Sequence, residues 1–172
     1  MQERACGLTK STVDTGERWK IIGKAHESRG SLRAASGASM FMRPTVVIAE
    51  DHLGCLENVS QLISRDYEIV AVATDGERGL SATLRARPDV VILDVSLPRM
   101  DGIATAKEIR KNGLECKILF LTVHEEPEFK EGAFRAGANG YVYKSLMAVD
   151  ILTALKEVLA GRPFLSRNPN EP

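Results

Sequence analysis

Asp94 ends a run of branched apolar residues in the stretch "VVILDVSLPRMDG" (90–102), and the chain turns there at once into a Pro-containing loop. A carboxylate at the end of a buried strand is costly unless something pairs with it. Other polar groups hold comparable positions. Glu50 and Asp51 follow "TVVIA", Thr122 ends "KILFLT", and Lys144 follows "GYVY". Carboxylates crowded into one volume repel and must be neutralised by protons, a cation or a lysine. An oxygen-only cluster suits a hard divalent ion, and Mg²⁺ typically takes one or two carboxylates and keeps several waters. Lys144 adds a fixed positive charge and Thr122 a hydroxyl. Around Asp94, such a set meets the needs of an incoming phosphoryl group, whose charge develops on its equatorial oxygens. Taken singly, each residue is ordinary: an Asp at a strand end usually caps a turn, and a lone Lys is usually a solvated charge. Joint placement at the ends of several strands makes Asp94 a candidate phosphoryl acceptor.

The elements that must position these groups alternate between short apolar runs and helical periodicity, the pattern of parallel strands with crossover helices. Strands are expected at 45–50, 67–74, 89–94, 117–122 and 140–143. Helices are expected near 52–65, from Asp75 to Pro88, from Asp101 to Gly113, at 125–136 and at 146–160. Leu53, Leu56, Val59, Leu62 and Ile63 form the expected apolar stripe of the first helix. Leu80 and Leu84 face inward in the second, and Ile103, Ala106 and Ile109 in the third. Leu146, Val149, Leu152, Leu155, Val158 and Leu159 do so in the last. Asp75 and Asp101 are placed to cap their helices, Pro127 suits a first turn, and Gly113 and Gly161 are stop signals. Right-handed crossovers then give an α/β fold: a five-stranded parallel, doubly wound, flavodoxin-like sheet, order 2-1-3-4-5, with helices on both faces. In that order the first and third strands are neighbours, so Glu50, Asp51 and Asp94 share a small volume.

Length and composition fit one ordinary domain with some surplus: 172 residues, 44% hydrophobic and 27% charged. No apolar run approaches bilayer length. Three cysteines, odd in number and far apart, argue against a disulfide framework or zinc ribbon, and a reducing cytoplasm is the expected location. His26, His52 and His124 lack metal-ligand spacing. Residues 1–42 hold seven of the 23 basic and four of the 23 acidic side chains, which leaves a mildly acidic body with no electrostatic footprint for nucleic acid. That segment is rich in Gly, Ser, Thr, Lys and Arg without sustained periodicity, and is expected to be a disordered N-terminal extension. It lacks the apolar core of a secretory signal. A start at Met40 or Met42 is the alternative, because "MRPTVVIAED" reads as the beginning of a domain. The domain is placed at 43–162, with a short tail over 163–172.

The segments "VVIAEDH", "VVILDVSLPRMDG", "ILFLTVHEE" and "AGANGYVYKS" resemble, in order, those of the receiver domain of two-component response regulators. The resemblance spans about 44–160. It implies that Asp94 is the phosphorylated aspartate. Asp51, Asp94 and the Ser96 backbone carbonyl would ligate Mg²⁺, with Glu50 as a water-mediated or outer ligand. Thr122 and Lys144 would contact the phosphoryl group, and Tyr141 would be the switch aromatic that moves with Thr122. The face of the fourth helix, fifth strand and fifth helix would change on phosphorylation. Implied partners are a sensor histidine kinase or phosphotransfer protein and a downstream output protein, and receivers of this kind often form homodimers. "RPTVVIAEDH", "LTVHEE" and "LAGRPFLS" are most similar to the subfamily that carries a C-terminal LuxR-type helix-turn-helix. The sequence ends soon after Ser166, so no direct nucleic-acid binding is expected from this chain, and none to membranes. Ser145 stands where many receivers have proline, so a trans bond after Lys144 is expected. Val123 replaces a residue that is often small. Ser96 and His124 hold positions from which the water attacking an acyl phosphate can be steered, so they are expected to tune the lifetime of the signal.

Two rivals share part of this chemistry. A haloacid dehalogenase-type hydrolase also forms an aspartyl phosphate with Mg²⁺, but its DxD pattern needs an acid where this chain has Ser96. A receiver-fold scaffold that is never phosphorylated would not need Asp51, Asp94, Thr122 and Lys144 together. A dinucleotide-binding domain is disfavoured, since neither GxGxxG nor a phosphate loop follows the first strand.

Overall fold

The computed structural model describes residues 42–167. The expectation of a disordered segment falls, apart from Met42, outside the described residues. Strands β1 (Thr45–Ala49), β2 (Glu68–Ala73), β3 (Val90–Leu93), β4 (Lys117–Thr122), β5 (Gly140–Tyr143) and β6 (Phe164–Leu165) form one sheet. Helices α1 (Leu53–Ile63), α2 (Gly76–Ala86), α3 (Gly102–Lys111), α4 (Pro127–Arg135) and α5 (Met147–Leu159) connect the first five strands in turn and close the last crossover. The order is β2-β1-β3-β4-β5-β6, and every pairing is parallel. Ten of the eleven elements match the expected sequence of units closely. The sheet has six strands, however, not the expected five. Gly161 takes a left-handed turn (φ 80°) after α5 and sends the chain back along β5. There the Phe164 amide donates to Asn139 O and the Ser166 amide to Tyr141 O.

Alternation along each strand divides the core into two layers. Val46, Ile48, Val90, Ile92, Leu119, Leu121 and Val142 pack with α1 and α5 residues such as Val59, Ile63, Ile151 and Leu155. Their neighbours Val47, Ala49, Val91, Leu93, Ile118, Phe120, Tyr141 and Tyr143 pack on the opposite face with Ala82, Ala106, Ile109 and Ala133. Each fully buried Val, Leu or Ile contributes about 1.5–3 kcal/mol, so the central strands are the most strongly held part of the molecule.

The caps act as expected. Asp75 accepts from the Arg78 amide (2.8 Å) and Asp101 from the Ala104 amide (2.7 Å). Pro127 occupies the first turn of α4. Two apolar assignments change. Leu53 and Val149 are 66% and 76% exposed; each lies in the first turn of its helix, and the first buried residues are Leu56 and Ile151. The buried face of α5 is instead Ile151, Ala154, Leu155 and Val158. All peptide bonds among the described residues are trans, the one after Lys144 included.

Candidate functional site

The carboxyl ends of β1, β3, β4 and β5 bring the expected groups together. Strand register does the coarse work: Ala49 pairs with Leu93 and Leu93 with Phe120, so the residues that follow emerge side by side. The Asp94 amide still donates to Ala49 O (3.0 Å), which ties the acid to the neighbouring strand before the chain turns away. The loop after β3 is in turn clasped to α2. Gly76 N–H donates to Pro98 O, and Arg99, in the left-handed region at φ 65°, lies 3.6 Å from the buried Asp75 carboxylate.

Lys144 begins a single 3₁₀ turn, Lys144–Leu146, directly after β5. Its Nζ lies 2.8 Å from Asp94 Oδ2, 2.9 Å from Glu50 Oε1 and 2.8 Å from Glu50 Oε2. Burial pulls the ammonium pKa down, but the hydrogen bonds to Asp94 and Glu50 outweigh it, and the group is held above its ordinary value. Glu50 and Asp94 are almost fully buried, whereas Asp51 is exposed at the mouth of the site. Glu50 Oε1 also accepts from the His52 amide (3.1 Å).

Glu50, Asp51 and Asp94 each offer an oxygen, and these atoms lie within 4.8 Å of one another. One lysine does not neutralise three carboxylates, and Glu50 Oε2, though close to Nζ, is buried without a directed hydrogen bond. An oxygen-only donor set carrying surplus negative charge, with one acid open to solvent, fits Mg²⁺ with several waters retained. Asp51, Asp94 and Glu50 would hold it, and it would offset charge on a phosphoryl group.

Thr122, fully buried at the end of β4, accepts from the His124 amide through Oγ1 (3.1 Å). Tyr141 is buried inside the sheet face, and its hydroxyl donates to His124 O (2.8 Å). Its ring lies edge-on to Tyr143 and tilted to Phe120. Burial chiefly, then the nearby Tyr143, Glu126 and Asp94, pushes the phenol well above its ordinary value.

Ser96 and His124 meet directly across the top of the site. Ser96 Oγ lies 2.6 Å from His124 Nε2, and the Ser96 amide points at Asp94 Oδ1 (3.3 Å). The far side of the imidazole faces Glu126, with Nδ1 3.6 Å from Oε2, and its ring stacks on Phe129 at 4.0 Å. Glu126 and Phe129 escape a reading of motifs, because only the turn before Pro127 folds them back over His124. Cys55, half-buried on α1, is another group that sequence patterns miss. Burial first, and then Glu50, push its thiol up to about 12.

Residues 46–156 match the family described as the response regulator receiver domain. The nitrate/nitrite response regulator protein NarL of Escherichia coli (strain K12) is 33% identical over 124 residues, which cover 71% of this chain and 57% of that protein. The transcriptional regulatory protein YvfU of Bacillus subtilis (strain 168) is 34% identical over 122 residues, covering 69% and 60%. Among solved structures, a LuxR-family two-component response regulator from Aurantimonas sp. SI85-9A1 matches with a TM-score of 0.69 at 32% identity, over 74% of this chain and 91% of that one. The match thus spans little more than half the length of these curated relatives.

Proposed function

Because the chain belongs to the response regulator receiver family, a family of signalling domains, we propose that it is a phosphoacceptor in a two-component phosphorelay, with Asp94 as the acceptor and Mg²⁺ as cofactor. The observation that carries this reading is the placement of Asp94 between the Lys144 ammonium and two further carboxylates. Of its two oxygens, Oδ2 is held by Lys144, so Oδ1 is the nucleophile that attacks phosphorus. Lys144 then pairs with the added charge, and Asp51, Glu50 and the Ser96 carbonyl help to hold the metal. Phosphoryl transfer of this kind depends on positioning and charge stabilisation, which these fixed groups supply.

The signal leaves the site through His124. Thr122 and Tyr141 both grip the His124 backbone, from its amide and its carbonyl respectively. A phosphoryl group that draws Thr122 towards it would shift this shared contact and reset Tyr141, and with it the face of α4, β5 and α5. A partner that prefers the altered face then shifts the population of active molecules. The donor would be a sensor histidine kinase or phosphotransfer protein of the cytoplasm, and the target an output protein or a second copy of the chain. No helix among the described residues is long and apolar enough to cross a membrane.

Ser96 and His124 are the proposed determinants of signal lifetime, motivated by their direct contact beside Asp94. Dephosphorylation rates of Ser96→Ala and His124→Ala that match the parent would remove that role. The central test is incubation with Mg²⁺ and acetyl phosphate, read by intact mass. Uptake of one phosphoryl group, lost in Asp94→Asn and without Mg²⁺, is expected. Steady turnover of an organic phosphate would instead favour the hydrolase, and no uptake from any donor the scaffold.

A further inference from the structure

Three side chains near Asp94 line up in an arrangement that accepting a phosphoryl group on the aspartate does not require. A serine hydroxyl 2.6 Å from an imidazole nitrogen, with a carboxylate behind the ring, is the layout that activates a hydroxyl nucleophile. We propose that Ser96 is a second phosphoacceptor, taking the phosphoryl group from the Asp94 acyl phosphate with His124 as base and Glu126 orienting the imidazole. The inference rests on the phosphoacceptor reading of Asp94.

The geometry favours Ser96 on three counts. Lys144 occupies Asp94 Oδ2, so a phosphoryl group is carried on Oδ1, the oxygen the Ser96 amide already approaches at 3.3 Å. His124 is held so that its Nε2 faces Ser96: Phe129 stacks on the ring, and its backbone is gripped by Thr122 and Tyr141. Glu126 Oε2 lies 3.6 Å from Nδ1, on the far side of the ring, while Nε2 is the nitrogen turned to the Ser96 hydroxyl. Glu126 is free for this role, since as the residue before α4 it makes no side-chain capping hydrogen bond. The other hydroxyl at the site, Thr122, is fully buried, and its oxygen is engaged by a backbone amide rather than a base.

The step balances without another reactant. The Ser96 hydroxyl gives its proton to His124 Nε2 as its oxygen forms a bond to phosphorus. The bond from phosphorus to Asp94 Oδ1 breaks, and its electron pair restores the carboxylate. The proton on the imidazole passes to solvent. The transfer runs from a mixed anhydride to a phosphate monoester, which is energetically downhill. It would convert a transient mark into a lasting one at the mouth of the same site, in competition with hydrolysis.

Hydroxylamine distinguishes the two products, because it cleaves acyl phosphates and leaves phosphoserine intact. The full chain is incubated with Mg²⁺ and acetyl phosphate, and samples taken over time are split, with and without hydroxylamine, for intact mass and peptide mapping. We expect a hydroxylamine-resistant adduct to accumulate behind the labile one and to map to Ser96. It should be lost in Ser96→Ala and in Asp94→Asn, and should form about 10²-fold more slowly in His124→Gln, the scale of general base assistance. A parent adduct that stays wholly labile overturns this inference and leaves the Asp94 reading standing, whereas no adduct of either kind overturns both. A resistant adduct that persists in Asp94→Asn, or that maps elsewhere, overturns the transfer.

Discussion

Replacing Lys144 with methionine removes a charge that lies 2.8 Å from both Asp94 Oδ2 and Glu50 Oε2, and keeps much of the side chain's length. At that distance two unit charges attract by about 6 kcal/mol at an effective dielectric of roughly 20, before the cost of burying them. Breaking a buried pair by deleting one partner typically costs about 3–5 kcal/mol, because the other charge is left uncompensated. Here two buried acids are abandoned at once, and repulsion between acids up to 4.8 Å apart remains. Lys144→Met should therefore lose about 3–5 kcal/mol of stability in metal-free buffer, read by urea denaturation. Mg²⁺ should bind the variant at least tenfold more tightly, because it no longer competes with an ammonium, and saturating Mg²⁺ should restore part of the loss. The pH dependence has a definite sign. Lys144 is held above its ordinary value of 10.5, so its contribution to the parent is complete below that pH and fades as pH rises further. The two metal-free stability curves should converge there. Calorimetric Mg²⁺ affinity in Lys144→Met that equals or falls below the parent's would refute the reasoning, as would a stability loss under about 1 kcal/mol.

Three further perturbations probe the surroundings. A Cβ on Gly102 would stand 1.9 Å from Asp94 O, so Gly102→Ala must displace the Asp94 backbone. It should cost about 1–3 kcal/mol or more and slow acetyl phosphate uptake; unchanged uptake would count against the placement. The Arg110 guanidinium donates to Leu114 O, Cys116 O, Gly137 O and Asn139 Oδ1, a fork that lysine cannot reproduce. Arg110→Lys should lose about 2 kcal/mol in urea, and a loss within error would show that the fork contributes little. The Cys55 thiol, pushed from 9.0 up to about 12, should react with a disulfide reagent at pH 8 at least about tenfold more slowly in the folded than in the unfolded chain, because the smaller thiolate fraction is only partly offset by the greater nucleophilicity of a more basic thiolate. Equal rates would contradict its buried position beside Glu50.

The sheet was legible because each central strand is buried on both faces and bounded by strong turn signals. "VVIL" and "KILFL" admit no other half-buried reading, and parallel crossovers leave few topologies. β6 was not legible for the opposite reason. Phe164–Leu165 is too short for any period to appear, and its pairing is dictated by the turn at Gly161 and by an edge of β5 left open. The Ser166 hydroxyl then bonds the Asp150 carboxylate at 2.5 Å, a contact between residues 16 apart that no local pattern announces. The helical stripes failed only at their ends. Leu53 and Val149 obey the spacing but lie in first turns, one turn or less ahead of the first buried residues, Leu56 and Ile151.

The site divides along the same line. Glu50, Asp51, Asp94, Thr122 and Lys144 follow strands whose register is set by the core, so finding the strands was enough to bring the acids and the lysine together. Strand ends are therefore readable to the precision of a shared volume. The contacts that decide chemistry within that volume depend on loop conformation, and loops carry no periodicity. His124 meets Ser96 across 28 positions in sequence, and Glu126 reaches its ring only because the chain turns before Pro127. Sequence thus located the acids and the lysine and marked Ser96 and His124 as neighbours of Asp94, whereas only the folded loops show that Ser96 and His124 touch each other and that Glu126 stands behind the imidazole. That division gives the Ser96→Ala and His124→Gln variants their force. They leave the strand-borne charges in place and alter only what the loops contribute, so a change in the fate of the phosphoryl group would be traceable to the loops alone.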